Sequence, residues 1–134
     1  MRYLLLCFSL CITSLGIGLY QNKPKAQSIA DGEEIYADFC AQCHLPNGKG
    51  VAGSFPPLAQ SDYLFNNLEK SIRGVKYGMK GEIVVNGKTY NNQMISQGLD
   101  NEEIADVMNY ILNTWGNSSK KTITENDVEN IRPN

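Results

Sequence analysis

This 134-residue chain has few of the histidine and cysteine side chains that bind zinc, since it contains one histidine and four cysteines. Two of the cysteines, Cys7 and Cys11, lie in an apolar N-terminal stretch, which leaves Cys40, Cys43 and His44 for the rest of the chain. A structural zinc site needs about four protein ligands. Zinc is disfavoured, since these three residues would have to recruit carboxylates.

An excess of charge of one sign is also lacking, since 12 Lys and Arg residues oppose 14 Asp and Glu residues, for a net charge of −2. There is no basic run of the kind that binds nucleic acid. No constellation of carboxylates and nucleophiles stands out either. We therefore predict a protein that is not an enzyme, with no nucleic-acid partner and no small-molecule substrate.

The N-terminus carries a positive charge at Arg2 and a mainly apolar stretch over residues 3–20. This order is typical of a secretory signal, and the stretch also reaches the lower length limit for a membrane-spanning helix. We predict that residues 1–27 form a signal peptide or an N-terminal membrane anchor plus a linker. The protein is then exported and periplasmic, either soluble or tethered to the membrane by an uncleaved N-terminal segment.

Hydrophobic spacing predicts that the remaining domain is mostly helical. A first helix is expected to begin near Asp31 and to bury Ile35 and Phe39, which lie four residues apart. Ser61 is a predicted N-cap for helical segments that end near Gly78. These elements would enclose a loop rich in glycine and proline over residues 45–60.

The second half of the domain carries sharper local signals. Asn86-Gly87, between β-branched and aromatic residues, predicts a small β-hairpin. Asp100 and Glu103 predict a capping box at the start of the last helix, with Gly116 as its stop. Residues 118–134 are polar, and we predict a disordered tail there.

The motif that carries chemistry is Cys40-x-x-Cys43-His44. This spacing is the attachment signature of c-type haem, in which two thiols add to the porphyrin vinyl groups and the histidine becomes the proximal iron ligand. A disulfide across two residues would stabilise little, and a thioredoxin-like centre requires a βαβ setting. We predict one covalently bound haem c, with Cys40 and Cys43 as thioether links and His44 as an iron ligand.

A haem that only transfers electrons needs a second axial ligand, and methionine is the remaining common choice. The candidates are Met79, Met94 and Met108. Met108 falls on the apolar stripe of the last helix, where core packing is expected. Met94 lies in a polar loop that can fold over the opposite face of the ring, so we predict Met94 as the distal ligand. Met79 and an open coordination site remain alternatives.

Residues 28–117 resemble the class I cytochromes c of the compact bacterial type. The resemblance rests on the haem motif, on Phe55-Pro56-Pro57-Leu58 after it, and on the pattern of the last helix. It implies an all-α cytochrome c fold of three to five helices around one covalent haem, with a small β-hairpin. One departure is that Ile95 follows Met94, where many relatives have proline.

The resemblance also implies roles for individual residues and for the whole protein. Gly32 would allow the first and last helices to cross near Tyr110. The carbonyl of Pro56, with Pro57 as the alternative, would accept a hydrogen bond from the proximal imidazole. The implied function is one-electron transfer between respiratory redox partners. A haem-bearing subunit of a dehydrogenase, nitrite reductase or terminal oxidase complex is the alternative, and a sensor or enzyme with an open site is less favoured.

Overall fold

A computed structural model describes residues 23–133, a region that contains six helices and one two-stranded sheet. The helices are α1 (Lys25–Phe39), α2 (Ala41–His44), α3 (Asp62–Asn66), α4 (Leu68–Tyr77), α5 (Asn101–Ile111) and α6 (Glu125–Glu129), and the strands are β1 (Ile83–Val85) and β2 (Lys88–Tyr90). The predicted helical fold with a hairpin is confirmed. The apolar stretch of the predicted leader lies outside the described residues, and no helix within them could cross a membrane.

The core is organised by the crossing of α1 and α5. Gly32 of α1 lies directly against the backbone of α5, because a Cβ at this position would overlap the carbonyl oxygen of Asp106 and lie 2.9 Å from Cβ of Tyr110. The ring of Tyr110 contacts the buried ring of Tyr36, with centroids 5.4 Å apart. Only glycine permits so close an approach, which agrees with the role that the resemblance implies for Gly32.

Helix α1 begins at Lys25, nearly two turns before the predicted start near Asp31. Proline at position 24 occupies the N-cap, and the first turns bury Ser28, whose hydroxyl donates to the carboxylate of Asp106. The predicted start is wrong because Ser28 is polar, and the prediction looked for apolar residues on the buried face. Its hydroxyl can be buried because it has a hydrogen-bond partner on α5.

The predicted buried stripe of Ile35 and Phe39 is also wrong. The buried positions of α1 are Ser28, Gly32 and Tyr36, spaced four residues apart. Ile35 is only partly buried against the core, and Phe39 is 39% exposed. The sequence predicts the wrong stripe because Gly32, at the helix crossing, has no apolar side chain by which a buried position could be recognised.

The predicted hairpin and the predicted capping box are confirmed. Asn86 and Gly87 both have positive φ, 49° and 74°, as a two-residue hairpin turn requires. The backbone N–H of Asp100 donates to Glu103 and that of Glu103 donates to Asp100, each over 2.9 Å. Helix α5 ends at Ile111, about one turn before the predicted stop.

The C-terminal segment is ordered, so the prediction of a disordered tail is wrong for the residues described. Helix α6 begins with a capping box between Thr124 and Asp127. Ile123, Val128 and Ile131 are buried in the main core. Three well-spaced apolar residues are enough to fix the segment, although its average composition is polar.

Candidate functional site

Cys40, Cys43 and His44 line a mainly apolar cleft that is open to solvent. The loops on either side of hairpin β1–β2 and the loop after α2 complete its wall. The apolar wall residues include Phe39, Phe55, Val75, Ile83, Ile95 and Leu99. An adjoining cavity, which shares Cys40, His44 and Met94 with this cleft, is lined by the core residues Leu64, Val107, Met108 and Ile111. A cleft with mainly apolar walls and a few polar groups suits a large apolar ligand.

The two thiols are brought together by a single helical turn. The backbone N–H of Cys43 donates to the carbonyl of Cys40 over 3.1 Å, and that of His44 donates to the same oxygen over 2.9 Å. Burial, with a smaller contribution from Cys43, raises the pKa of the Cys40 thiol to about 11. Cys40 is therefore protonated at neutral pH, which disfavours a thiolate-based redox centre.

The imidazole of His44 is buried and held in one orientation. Its Nδ1 lies 2.9 Å from the carbonyl oxygen of Pro56, so Nδ1 carries the proton and Nε2 keeps its lone pair. Burial lowers the pKa of His44, and the hydrogen bond to Pro56 opposes that shift. A neutral imidazole with an oriented ring is the form that binds a metal.

The loop that follows His44 packs closely against the ring of Trp115. The backbone N–H of Gly50 donates to the carbonyl of His44 over 2.9 Å, and that of Leu58 donates to Gly48 over 2.7 Å. Gly48 has a φ of +66°, and a Cβ there would overlap the ring of Trp115. This loop therefore fixes the carbonyl of Pro56, and through it the ring of His44.

Two methionines reach the cleft from the other side. Met79 and Met94 pair across an isolated antiparallel bridge, and each backbone N–H donates to the other's carbonyl over 2.8 Å. The methyl group of Met79 packs on Gly74 of α4, since a Cβ at Gly74 would lie 2.8 Å from it. Met108 is 1% exposed within the core. The structure brings both Met79 and Met94 to the cleft wall, but the Met79 side chain is packed against α4.

Three residues that shape the cleft were missed from the sequence. Phe39 was assigned to the helix core, although it lines the cleft. Asn92 donates to the carbonyl of Ser54 over 2.9 Å and so joins the loops on either side of the opening. Gly74 could have been found, because an isolated glycine inside a helical pattern signals a packing reason.

This fold and cleft define a small helical haem protein, because two thiols, a neutral imidazole and an apolar wall together suit a porphyrin and its iron. A family model described as Cytochrome c matches residues 29–115. The chain belongs to the cytochrome c family. Its cofactor is covalently bound haem c, and its function is electron transfer, as predicted.

Relatives in this family include proteins named as cytochromes and proteins named as cytochrome subunits of larger complexes. Cytochrome c-552 from Thermus thermophilus is 41% identical over 114 residues, covering 77% of this chain and 85% of the relative. The cytochrome c subunit of a quinone-dependent alcohol dehydrogenase from Gluconobacter oxydans is 30% identical, covering 75% of this chain and 22% of the relative. The FixP subunit of a cbb3-type oxidase from Bradyrhizobium diazoefficiens is 31% identical, covering 69% and 32%.

Proposed function

We propose that this protein carries single electrons between redox partners, with the haem held by Cys40 and Cys43 and its iron bound by His44 and Met94. The haem supplies an iron that changes between its ferric and ferrous states without making or breaking bonds. The observation that carries the proposal is the oriented, neutral imidazole of His44 in an apolar cleft whose other wall carries a methionine pair.

Each residue has a separate task in this proposal. The thiols fix the position of the ring, and the bond from His44 to Pro56 holds the imidazole so that Nε2 can bind iron. The apolar wall excludes water, and two axial protein ligands exclude oxygen and peroxide. Met94 is favoured over Met79 because the Met79 methyl group is already packed on Gly74.

We also propose that the protein works outside the cytoplasm as a free-standing carrier. The sequence order at residues 1–20 favours export, followed by either cleavage or retention as an anchor. The similarity to the Thermus cytochromes extends over most of those proteins, whereas the dehydrogenase subunits match over about a fifth of their length. The alternative of a subunit in a dehydrogenase, nitrite reductase or oxidase complex predicts co-purification with a catalytic subunit.

The ligand assignment is tested by Met94→Ala. The ferric variant should lose the weak red-edge absorption of methionine–iron ligation, and its reduction potential should fall by an amount on the order of 100 mV or more, within the range that axial ligands control. Met79→Leu is the matched control and should keep both properties. Retention of both properties in Met94→Ala, together with their loss in Met79→Leu, would reverse the assignment.

The carrier function makes a further prediction about the intact protein. Because both axial positions are filled by protein, the ferrous form should bind carbon monoxide only slowly. The measurement is stopped-flow mixing of reduced protein with carbon monoxide. Rapid binding in the wild-type protein would instead support a sensor or an enzyme with an open site.

A further inference from the structure

We propose that two copies of this protein dock mouth to mouth over their haem clefts in a short-lived complex with complementary charges, and exchange an electron there. The inference rests on the proposed carrier function, since the cleft holds the redox group. One electron passes from the ferrous iron of one copy to the ferric iron of the other. No proton moves and no bond changes. Electrons can therefore pass directly from one copy of the protein to another.

The first observation is that the mouth of the cleft is uncharged. Within the described part of the chain, no Asp, Glu, Lys or Arg lines the cleft. Ile95 is 66% exposed and Phe39 is 39% exposed at this mouth. Apolar side chains with neutral amides around them, such as Gln93 and Gln97, favour close contact without the desolvation of charges.

The second observation is an acidic groove that meets the mouth at Phe39. It lies between α1 and the start of α5, and its carboxylates come from Asp31, Glu34, Asp38, Asp100, Glu102, Glu103 and Asp106. Among the described residues, Lys23 is the one cation in its lining and pairs with three of them, at 2.6 to 2.9 Å. Glu34 and Asp38 are exposed and form no ion pair among the described residues, so the groove keeps a net negative charge.

The third observation is a basic groove that meets the mouth at Met94 and Ile95. Its charged lining residues are Lys70, Arg73 and Lys80, and no carboxylate lines it within the described part of the chain. Arg73 pairs with Glu69 of its own helix, which leaves the exposed Lys70 and Lys80 as its uncompensated charges. The acidic groove meets the mouth at Phe39, next to Cys40, and the basic groove meets it at Met94 and Ile95, on the wall that carries the methionines; among the described residues the two grooves share no lining residue.

This arrangement is complementary to itself. A two-fold axis through the mouth sets the acidic groove of one copy against the basic groove of the other, and both contacts form at once. Opposite charges at the rim speed encounter, while the neutral centre provides the contact. A small contact of this kind matches weak redox complexes, which bury less than about 1,200 Å².

The contact itself is tested by chemical cross-linking that does not depend on electron transfer. Holoprotein labelled with ¹⁵N is mixed with unlabelled holoprotein, treated with a zero-length carbodiimide and digested for mass spectrometry. Mixed-label links should join Glu34 or Asp38 of one copy to Lys70 or Lys80 of the other, and they should fade at high salt. Absence of mixed-label links, or links spread evenly to lysines on other faces such as Lys120, would overturn the proposal.

Electron exchange between the docked copies is tested by the electron self-exchange rate. This rate is measured by NMR on partly oxidised samples at several ionic strengths. Two copies of net charge −2 should repel each other, so simple repulsion predicts that salt raises the rate, whereas complementary grooves predict that salt lowers it. Lys80→Glu should slow exchange at low salt by about threefold to tenfold, and adding Asp38→Lys should restore it. Lys120→Glu is the matched control and should change little.

The outcomes separate this inference from the proposed function. If the ferric spectrum shows methionine–iron ligation but salt raises the self-exchange rate, the docking proposal fails alone. If the ligation is absent, the proposed function fails, and the cross-linking still reports whether the two grooves meet.

Discussion

The wall of the cleft that carries His44 and the wall that carries Met94 are built differently. On the His44 side, core groups bond the loop directly: Trp115 Nε1 donates to the carbonyl of Pro46 over 3.1 Å, and the amide of Asn117 donates to Leu58 over 2.9 Å. The loop also bonds to itself around Gly48. This wall is therefore an extension of the rigid core.

The Met94 wall depends on fewer and more exposed contacts. Met94 is held by its paired backbone bonds to Met79. Ser96 Oγ donates to the carbonyl of Lys76 over 2.9 Å, at an exposed position. Ile95 between them is 66% exposed.

The difference means that one axial ligand is fixed by the fold while the other can be displaced locally. Segments with exposed hydrogen bonds and few buried contacts open at lower free energy than the core. The wall that carries Met94 then mainly determines the reduction potential of the iron and how readily other ligands bind to it. The following changes test that division, from the largest expected effect to the smallest.

Gly48→Ala should damage the rigid wall most. The residue needs a positive φ, and its new methyl group would overlap the Trp115 ring, so we expect a loss of about 3 kcal/mol or more in the free energy of unfolding. Gly53→Ala is the control, because Gly53 has a φ of +77° but open space around it. It should cost about 1 kcal/mol. Equal losses in urea unfolding would show that packing against Trp115 does not matter.

Val128→Ala tests whether the C-terminal segment supports the weaker wall. Lys76 Nζ donates to the carbonyl of Val128 over 2.7 Å, and the hydroxyl of Tyr77 donates to Ile131 over 3.0 Å. These bonds fix the end of α4, just before Met79. The buried truncation should cost about 2 kcal/mol in urea unfolding, whereas exposed Glu129→Ala should cost little. No loss in Val128→Ala would mean that the segment is not part of the cooperative domain.

Ser96→Ala should loosen Met94 without unfolding the protein. Loss of its hydrogen bond to Lys76 is worth about 1 kcal/mol. Exogenous imidazole should therefore bind the ferric iron roughly fivefold more tightly, because the loop opens more readily. The measurement is an optical titration with imidazole, with exposed Ser118→Ala as the control. An unchanged affinity would place the resistance to ligand exchange elsewhere than in this loop.

Asp127→Asn should have the smallest effect, a small loss of stability near neutral pH that disappears in acid. Burial alone would raise the pKa of Asp127, but hydrogen bonds from the side chain and backbone of Thr124, with a contribution from Lys121, lower it below the usual range. A lowered folded-state pKa gives stability that is present above about pH 4 and is lost as pH falls through the folded value. The variant should show a flatter loss of stability in acid. An identical acid profile would rule out this carboxylate as a contributor.

The features predicted well from the sequence are those in which one short motif contains all the groups that interact. The Cys40–His44 spacing, the Asn86-Gly87 turn and the Asp100–Glu103 capping box each specify local geometry within a few residues. Each was recognised because the interacting groups are neighbours in the chain.

The parts missed depend on partners far apart in the chain. Ser28 is buried because Asp106 and Asn109 on α5 satisfy its hydroxyl. The C-terminal segment is ordered because the side chain of Asn109 bonds both backbone groups of Ile123. The acidic groove was also missed, since helices α1 and α5 must be assembled before their carboxylates form one face.

The most direct test of the account is NMR of the ferrous holoprotein with ¹³C-labelled methionine methyl groups. A methyl group bound at the iron lies over the porphyrin ring, whose ring current shifts its signal far upfield. The account predicts one such signal, which disappears in Met94→Ala and remains in Met79→Leu. A shifted signal that survives in Met94→Ala, or none in the wild-type protein, would contradict an iron held by a fixed His44 and a displaceable Met94.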